Sequence, residues 1–521
     1  MTVSVPLHQP AQTCDLLVIG AGASGAMAAY EAARRGLRVV LVEARDIASG
    51  TSSRSTKLLH GGVRYLELAV RRFDRRQLQL VREALAERGH WLEAVPFLAR
   101  RLELLLPTRH PLAQAYYGFG LALYDRLAGR RSLGASRCVS AVDVEQLLPQ
   151  LAPGHSGVAY SDGQFDDARL NLLLVRSAAA LGARVQTRTA VVELSRDGQG
   201  RLNGAVLEHS DGSRERLQAA AILNATGIAA DAVRRLADAD APPRLQVSRG
   251  THLVLAANLC PGGTGLLLPA TDDGRVLFLL PFFGRTLVGT TDGPCPAAAA
   301  EQPSAEEEAY LLAYVRRWFP GLGEPAVASS WAGGRPLLLP EEGAAGGTAG
   351  IVREHAVETL PCGLVSLMGG KWTTCRPMAR DALAAVAEQL GRSLPEPAVA
   401  PPLLGSAATV EATKAGLSAL AVRLSERHPQ ALVAHLLASH GLEAEAVLTA
   451  ARSDAELEPL SAVIPLTAAE VRHMVRHEWA LRPADVLARR CRLAMVDRAE
   501  AQRLEPLVQA LLEDEPHRQP R

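Results

Sequence analysis

Apolar and polar positions change period several times along the chain. CDLLVIG, Cys14 to Gly20, is a short apolar run; small helix-forming residues follow to Arg35, Gly36 stops them, and RVVLVEA near Glu43 is apolar again. This predicts strand, helix, strand. Helical spacing from Asp167 to Leu181 leads into RVQTRTAVVEL, GRLNGAVLEH and QAAAILNATG, which read as strands with Asp-Gly turn signals between them. Helices, strands and hairpins alternate over the first 380 residues or so, which predicts an α/β region with an antiparallel insertion. Pro395, Pro397, Pro401 and Pro402 mark a linker over 391–402. Beyond it only helical patterns occur. Leu417, Leu420, Ala421 and Leu424 share one face, Thr467 and Glu470 have capping-box spacing, and Pro483 suits a first helical turn. The expected organisation is an α/β unit over 12–390 and an all-α unit over 403–521.

Composition narrows the class. The 521 residues carry 56 Lys+Arg against 55 Asp+Glu, a net charge of +1, which argues against a global electrostatic grip on nucleic acid. The length suits two or three domains, and 48% hydrophobic with 21% charged residues is ordinary for a globular chain. No uncharged apolar run reaches the ~18 residues of a membrane span, and the N-terminus lacks the pattern of a signal peptide, so neither is expected. Seven scattered cysteines without a C-x-x-C pair fit reduced thiols in a cytoplasmic compartment and predict no metal site.

Gly20, Gly22 and Gly25 form G-x-G-x-x-G at the first strand–helix junction, with Ser24 in the helix's first turn and Glu43 and Ala44 at the end of the second strand. The glycines admit a tight turn, a close pyrophosphate and close helix packing, and Glu43 would accept ribose hydroxyls, which disfavours a 2′-phosphate. A flavin needs distant contacts as well. NATG, with Ala225, Thr226 and Gly227, and MGGKWTT, with Gly369, Gly370, Lys371, Trp372 and Thr373, supply them and tilt the reading from NAD to FAD. TSSRSTKLLHGGVRYLE is dense in chemistry. Thr51, Ser52, Ser53, His60, Gly61 and Gly62 are candidates for the cofactor, Arg64 and Tyr65 for a substrate.

On these stretches, with DDARLN, LVGTTD, GGRPLL and VRHEWALRPADVLARRCRL, the chain resembles FAD-dependent glycerol-3-phosphate dehydrogenases of the aerobic, quinone-linked type. The resemblance implies a glutathione-reductase-type FAD domain, an antiparallel-sheet substrate domain over about 70–150 and 240–340, and a helical C-terminal cap. It implies oxidation of glycerol 3-phosphate to dihydroxyacetone phosphate, with a quinone as acceptor and Arg64, Arg335 and Lys371 around the substrate. Ile228-Ala229 stands where the family often has Pro-Trp, and Thr56 and Trp372 stand where Ser and Leu are more usual.

Chemistry assigns further roles. A phosphate dianion calls for cations, with Tyr65 as a hydroxyl donor. Removal of the C2 hydroxyl proton calls for a base of pKa near neutrality, for which His60 and His252 are candidates, with Arg335 facing the developing alkoxide. Residues 97–131 carry six arginines against two acids among leucines and aromatics, a stretch suited to an anionic bilayer surface or to a basic cap. Arg489, Arg490 and Arg492 form a second basic run, expected to be a solvated helix face. An enzyme peripheral on the inner face of the cytoplasmic membrane, with a homodimer as a candidate assembly, is the resulting expectation. Competing readings are an oxygen-using oxidase, an FAD amine or hydroxyacid oxidoreductase, and a non-catalytic flavoprotein scaffold.

Overall fold

The computed structural model describes residues 12–62, 75–269, 271–339, 355–397, 399 and 401–515. Successive residues of the first strand, Gln12–Ile19, point to opposite faces and both faces are buried. Leu16 and Val18 pack against the helices Ala23–Arg34, Asp167–Ala180 and Cys375–Leu390, whereas Leu17 and Ile19 join a core with Val40, Val42 and Leu207. Burial on both faces is why these strands are continuously apolar. The sheet order is His355–Thr359, Leu364–Gly369, Arg214–Asn224, Gln12–Ile19, Val39–Glu43, Arg184–Thr187, and the antiparallel pair Thr189–Arg196 and Leu202–His209 joins it through Arg214–Asn224. The central pairings are parallel, so Gly20, Glu43, Ala225 and Gly369 follow or end strands at one common edge.

A second, 10-stranded sheet is antiparallel except where Gly265–Leu268 lies parallel to Ala99–Thr108. Two of its strands, Leu58–Leu59 and Ser156–Phe165, fall outside the segments expected for it. One face packs on the helix Ala305–Trp318. The other, with Leu104, Leu106, Val254 and Leu287, shares a core with Met474, Val486, Val496 and Leu504 of the helical C-terminal part. That part contains the helices Val410–Ser425, Gln430–His440, Ala444–Leu448, Ala468–His477 and Arg498–Glu513 and a π-helical turn, Asp485–Arg490.

Several expectations change here. Arg489, Arg490 and Arg492 are not a solvated face: their side chains are 13%, 1% and 1% exposed and all are ion-paired. The correction has a physical cause, since Asp46 and Asp167 of the α/β part supply buried carboxylates to meet them. The proline-rich connection is held down, with the Pro401 carbonyl accepting from Tyr30 and Glu396 meeting Arg380 at 3.0 Å. Thr467 caps Glu470 N–H as expected, but the Glu470 carboxylate turns to His435 and His440 at 2.8 and 3.0 Å. Residues 97–131 divide into the strand Ala99–Thr108 and the helix Pro111–Ala128, and Arg100 and Arg101 are bonded to Gln164 and Ser161 within the sheet. The stretch Gln430–Leu448 is long and apolar enough to cross a membrane by length and composition. Gly441, at φ +60°, breaks it in two, and Leu432, Val433, Leu436 and Val447 bury its apolar side in a small core.

Candidate active site

Close backbone packing demands the glycines at the common edge. Gly20 sits at φ +100°, and a Cβ on Gly25 would lie 1.8 Å from the Gly20 carbonyl oxygen. Gly22 is the N-cap of the first helix, and Ser24 is half-buried in its first turn. The Ala23 N–H donates to Ser52 Oγ at 2.8 Å, which places that hydroxyl before the helix N-terminus with its own O–H left to donate. Glu43 accepts from Ala21 and Arg45 N–H groups, each at 2.9 Å, one on each carboxylate oxygen. Both oxygens keep a lone pair for a ribose hydroxyl. Burial pushes the Glu43 pKa up, against the pull of those two N–H bonds. Ala44 beside it is exposed. A cradle in which added Cβ atoms would strike backbone, facing an acid with spare acceptor capacity, fits a dinucleotide.

Two more strand ends complete the edge. Asn224 donates to the Ala230 carbonyl at 3.0 Å and to Ser366 at 3.2 Å, and its Oδ1 accepts from the Thr226 hydroxyl at 2.7 Å. This locks Ala225, Thr226 and Gly227 beside Gly20. Gly369 and Gly370, at φ +75° and +77°, turn the chain into Lys371 and the single turn Trp372–Thr374 ahead of the helix Cys375–Leu390. Trp372 Nε1 donates to the Ser52 carbonyl at 3.0 Å and its ring meets Trp91 and Phe165 edge-on, so the unusual tryptophan ties this turn to residues 51–53. The Thr373 carbonyl accepts from Trp91.

Some candidates are engaged within the protein. Thr51 donates to the Gly334 carbonyl at 2.5 Å, Ser53 Oγ reaches the Gly50 carbonyl at 3.5 Å, and the Gly61 N–H donates to the Tyr124 hydroxyl at 2.7 Å. Gly62 adopts φ +82°, and His60 is half-buried directly after the strand Leu58–Leu59. Arg64 and Tyr65 lie outside the described residues.

The second sheet brings His252 and Arg335 together. Leu245–Leu255 and Val327–Leu338 pair so that Ser248 faces Arg335, Gly250 faces Gly333, and His252 faces Trp331. Glycines let these side chains lie close on the sheet: a Cβ on Gly250 would lie 2.2 Å from an Arg335 nitrogen, one on Gly289 would lie 2.3 Å from the His252 ring, and one on Gly333 would lie 2.9 Å from the Arg54 Cβ. Arg335 donates to Thr290 Oγ1 at 2.9 Å, to the Thr291 carbonyl at 3.1 Å and to Asp292 at 3.2 Å. His252 stacks on Trp331 with ring centroids 4.1 Å apart, its Nε2 meets Thr56 Oγ1 at 3.0 Å, and its Nδ1 is buried without a partner. Burial, then the Lys57 ammonium and Arg335, hold its pKa well below the ordinary histidine value, so the ring is neutral.

The sequence reading overlooked the residues that brace this site. DDARLN was recognised as a motif, yet its roles appear only here: Asp166 caps the helix Asp167–Ala180, Asp167 accepts from Ser55 and Lys57, and Asn171 donates to the Ala21 carbonyl at 2.8 Å. In the helical part, donor atoms of His440, His473 and Glu478 lie within 4.8 Å of one another. Arg169 donates to Glu478 at 2.7 Å and meets His440 Nδ1 at 3.2 Å, placing a guanidinium where a metal cation would sit.

Comparison with known proteins agrees with this geometry. Residues 15–384 match the family of FAD dependent oxidoreductases, and 398–519 match the C-terminal domain of alpha-glycerophosphate oxidase. A mitochondrial glycerol-3-phosphate dehydrogenase of Arabidopsis thaliana is 38% identical over 519 residues, covering 95% of this chain and 82% of that protein. The mitochondrial glycerol-3-phosphate dehydrogenase of Homo sapiens is 36% identical, covering 96% and 70%. The structure of glycerol-3-phosphate dehydrogenase from Bacillus halodurans complexed with FAD superposes with a TM-score of 0.77 at 27% identity, covering 97% of this chain and 92% of that one. With its FAD-type cradle and its helical C-terminal part, the chain belongs to the FAD-dependent glycerol-3-phosphate dehydrogenase/oxidase family.

Proposed function

We propose that this protein oxidises sn-glycerol 3-phosphate to dihydroxyacetone phosphate and passes the electrons to a quinone. The observation that carries the reading is that the strand register sets Arg335 and the His252–Trp331 stack on one face of the second sheet, with the Arg335 guanidinium lying over Gly250. Bound FAD supplies the acceptor for the C2 hydride. Gly20, Gly22, Ser52 and Glu43 hold its nucleotide half, and the turns at 225–227 and 369–373 approach its flavin half. Of the two candidate histidines, His252 is the base. It is neutral, its Nδ1 has no partner, and a cation stands nearby to favour the alkoxide as the C2 hydroxyl proton moves to the ring. Arg335, Lys371 and Arg64 supply the charge for the phosphate.

The acceptor and the membrane belong to the same reading. On the helix Pro111–Ala128, Leu112, Tyr116 and Phe119 are 86%, 48% and 73% exposed at i, i+4 and i+7 spacing. Arg109 precedes this face and Arg126 and Arg130 follow it, a pairing of apolar and basic groups suited to an anionic bilayer surface. That surface is where a lipid-soluble quinone is met, on the inner side of the cytoplasmic membrane. The test is turnover with glycerol 3-phosphate and either a short-chain quinone or dioxygen. Quinone reduction with little hydrogen peroxide supports the reading. Stoichiometric peroxide with no quinone reduction would make the chain an oxidase.

A further inference from the structure

Lys57 is buried, 1% exposed, in a site whose chemistry has no direct use for it. Its Nζ donates to the Ser53 carbonyl at 2.6 Å and to Asp167 at 2.8 Å, and lies 4.5 Å from the centroid of the Trp331 ring, the ring on which His252 stacks. From the helical C-terminal part, Arg492 reaches the same two acceptors, the Ser53 carbonyl at 2.9 Å and the other oxygen of Asp167 at 3.0 Å. Asp167 is fully buried and also accepts from Ser55 N–H at 3.0 Å and Oγ at 2.7 Å. Lys57 and Arg492 thus share Asp167, Arg492 having Asp166 at 3.6 Å as well, and the Lys57 ammonium faces Trp331 and His252.

We propose that Lys57 is a positioning residue for the reaction, held by Asp167 and the Ser53 carbonyl, acceptors it shares with Arg492 of the helical C-terminal part, and that through Trp331 it fixes the His252 ring and keeps it in the unprotonated form that can accept a proton. The inference rests on the reading of His252 as base. Among the described hydrogen bonds, Arg492 is the residue by which the C-terminal part reaches Asp167.

The charged groups around His252 allow the sign to be worked out. Lys57 faces it from the 51–57 loop, and Arg335, partnered by Asp292, faces it along the neighbouring strand; Asp167 and Arg492 stand behind Lys57. Burial, then Lys57 and Arg335, lower the pKa of His252, and burial with Arg492 brings Lys57 itself down to about 7. Removing the Lys57 cation raises the pH at which His252 takes a proton. The acid limb of activity then moves to higher pH.

The experiment compares FAD-loaded wild type, K57M, K57R and R492M by the pH dependence of kcat and KM for glycerol 3-phosphate with a dye acceptor. It is paired with the pH titration of the His252 ring resonance in histidine-labelled holoenzyme, assigned by its loss in H252Q. The proposal expects the acid limb and the ring titration of K57M to move up by about one pH unit, a tenfold change in proton affinity, with kcat falling more than KM changes. K57R keeps both near wild type. R492M, in which Lys57 has Asp167 to itself, shows no upward shift. A uniform loss of activity in K57M with an unmoved limb and ring titration overturns the proposal, as does an upward shift in R492M. If K57M does not retain FAD, K57R and R492M decide: an upward shift in both overturns it and none in either supports it. Wild type inactive on glycerol 3-phosphate contradicts the proposed function instead, and the ring titration still judges Lys57.

Discussion

At the scale of single residues, the site depends on a few side chains whose surroundings fix their chemical state. His252 is neutral because it is buried next to two cations, and a neutral ring is what proton abstraction needs. H252Q is expected to retain FAD and lower kcat by about 10²–10⁴-fold, the usual contribution of a positioned base. H60A serves as the comparison, expected to lose far less. Near-normal turnover of both at every pH would refute the assignment of a histidine base. Arg335 was legible in the sequence through GGRPLL, and His252 as a side chain whose ordinary pKa suits a base. Lys57, Trp331 and Asp167 were not, since a lysine between a threonine and a leucine carries no sign that it will be buried over an aromatic ring.

At the scale of elements, the loop after Glu43 and the π-helical turn Asp485–Arg490 hold each other through charge. Asp46, fully buried, pairs with Arg489 and Arg490, and Arg490 also donates to the Glu478 carbonyl at 2.5 Å. Breaking such a pair leaves the buried Arg490 guanidinium without its paired carboxylate, while Arg489 keeps Asp485, at a cost of about 3–5 kcal/mol. D46A is therefore expected to lower the melting temperature and release FAD more readily on dilution, read by flavin fluorescence in the filtrate. An unchanged melting temperature would contradict the clamp. The arginine run alone could not reveal this, because Asp46 lies more than four hundred residues away in sequence.

Acid sensitivity belongs to the helix Ala468–His477 and its neighbours. Burial, aided by His440, takes the His473 pKa down to about 2, and burial and Arg169 also lower that of His440. A histidine whose pKa is depressed on folding binds fewer protons folded than unfolded below its ordinary value near 6.5. Stability then falls as pH drops below about 6.5, by up to roughly 1.4 kcal/mol per pH unit per histidine. Urea midpoints measured at neutral pH and near pH 5.5 should differ clearly in wild type and by less in H473Q; an equal difference in both would exclude His473 as a source.

Over the whole molecule, the near-neutral charge balance conceals an uneven arrangement. Basic groups concentrate at a buried clamp, beside His252, and around the exposed face of the helix Pro111–Ala128. The first sheet was legible as strand patterns and its cradle as a glycine motif, whereas the second sheet was expected only from the family resemblance. The packing of the helical tail on the second sheet was not legible, because a shared core such as Leu104, Val254, Met474 and Leu504 leaves each partner looking like any amphipathic element. If the exposed helix meets a bilayer, L112E/F119E should pellet less with anionic liposomes than wild type does, and wild-type pelleting should fall with salt. Binding indifferent to both changes would place the membrane contact elsewhere or nowhere.

The central claim is that glycerol 3-phosphate reduces the flavin held in this fold, and anaerobic titration of the FAD-loaded protein tests it most directly. The account predicts that the oxidised flavin absorbance bleaches fully on addition of glycerol 3-phosphate and is unaffected by amino acids or 2-hydroxy acids. An oxidised spectrum that persists in excess glycerol 3-phosphate, or bleaches instead with an amino acid or a 2-hydroxy acid, would contradict it.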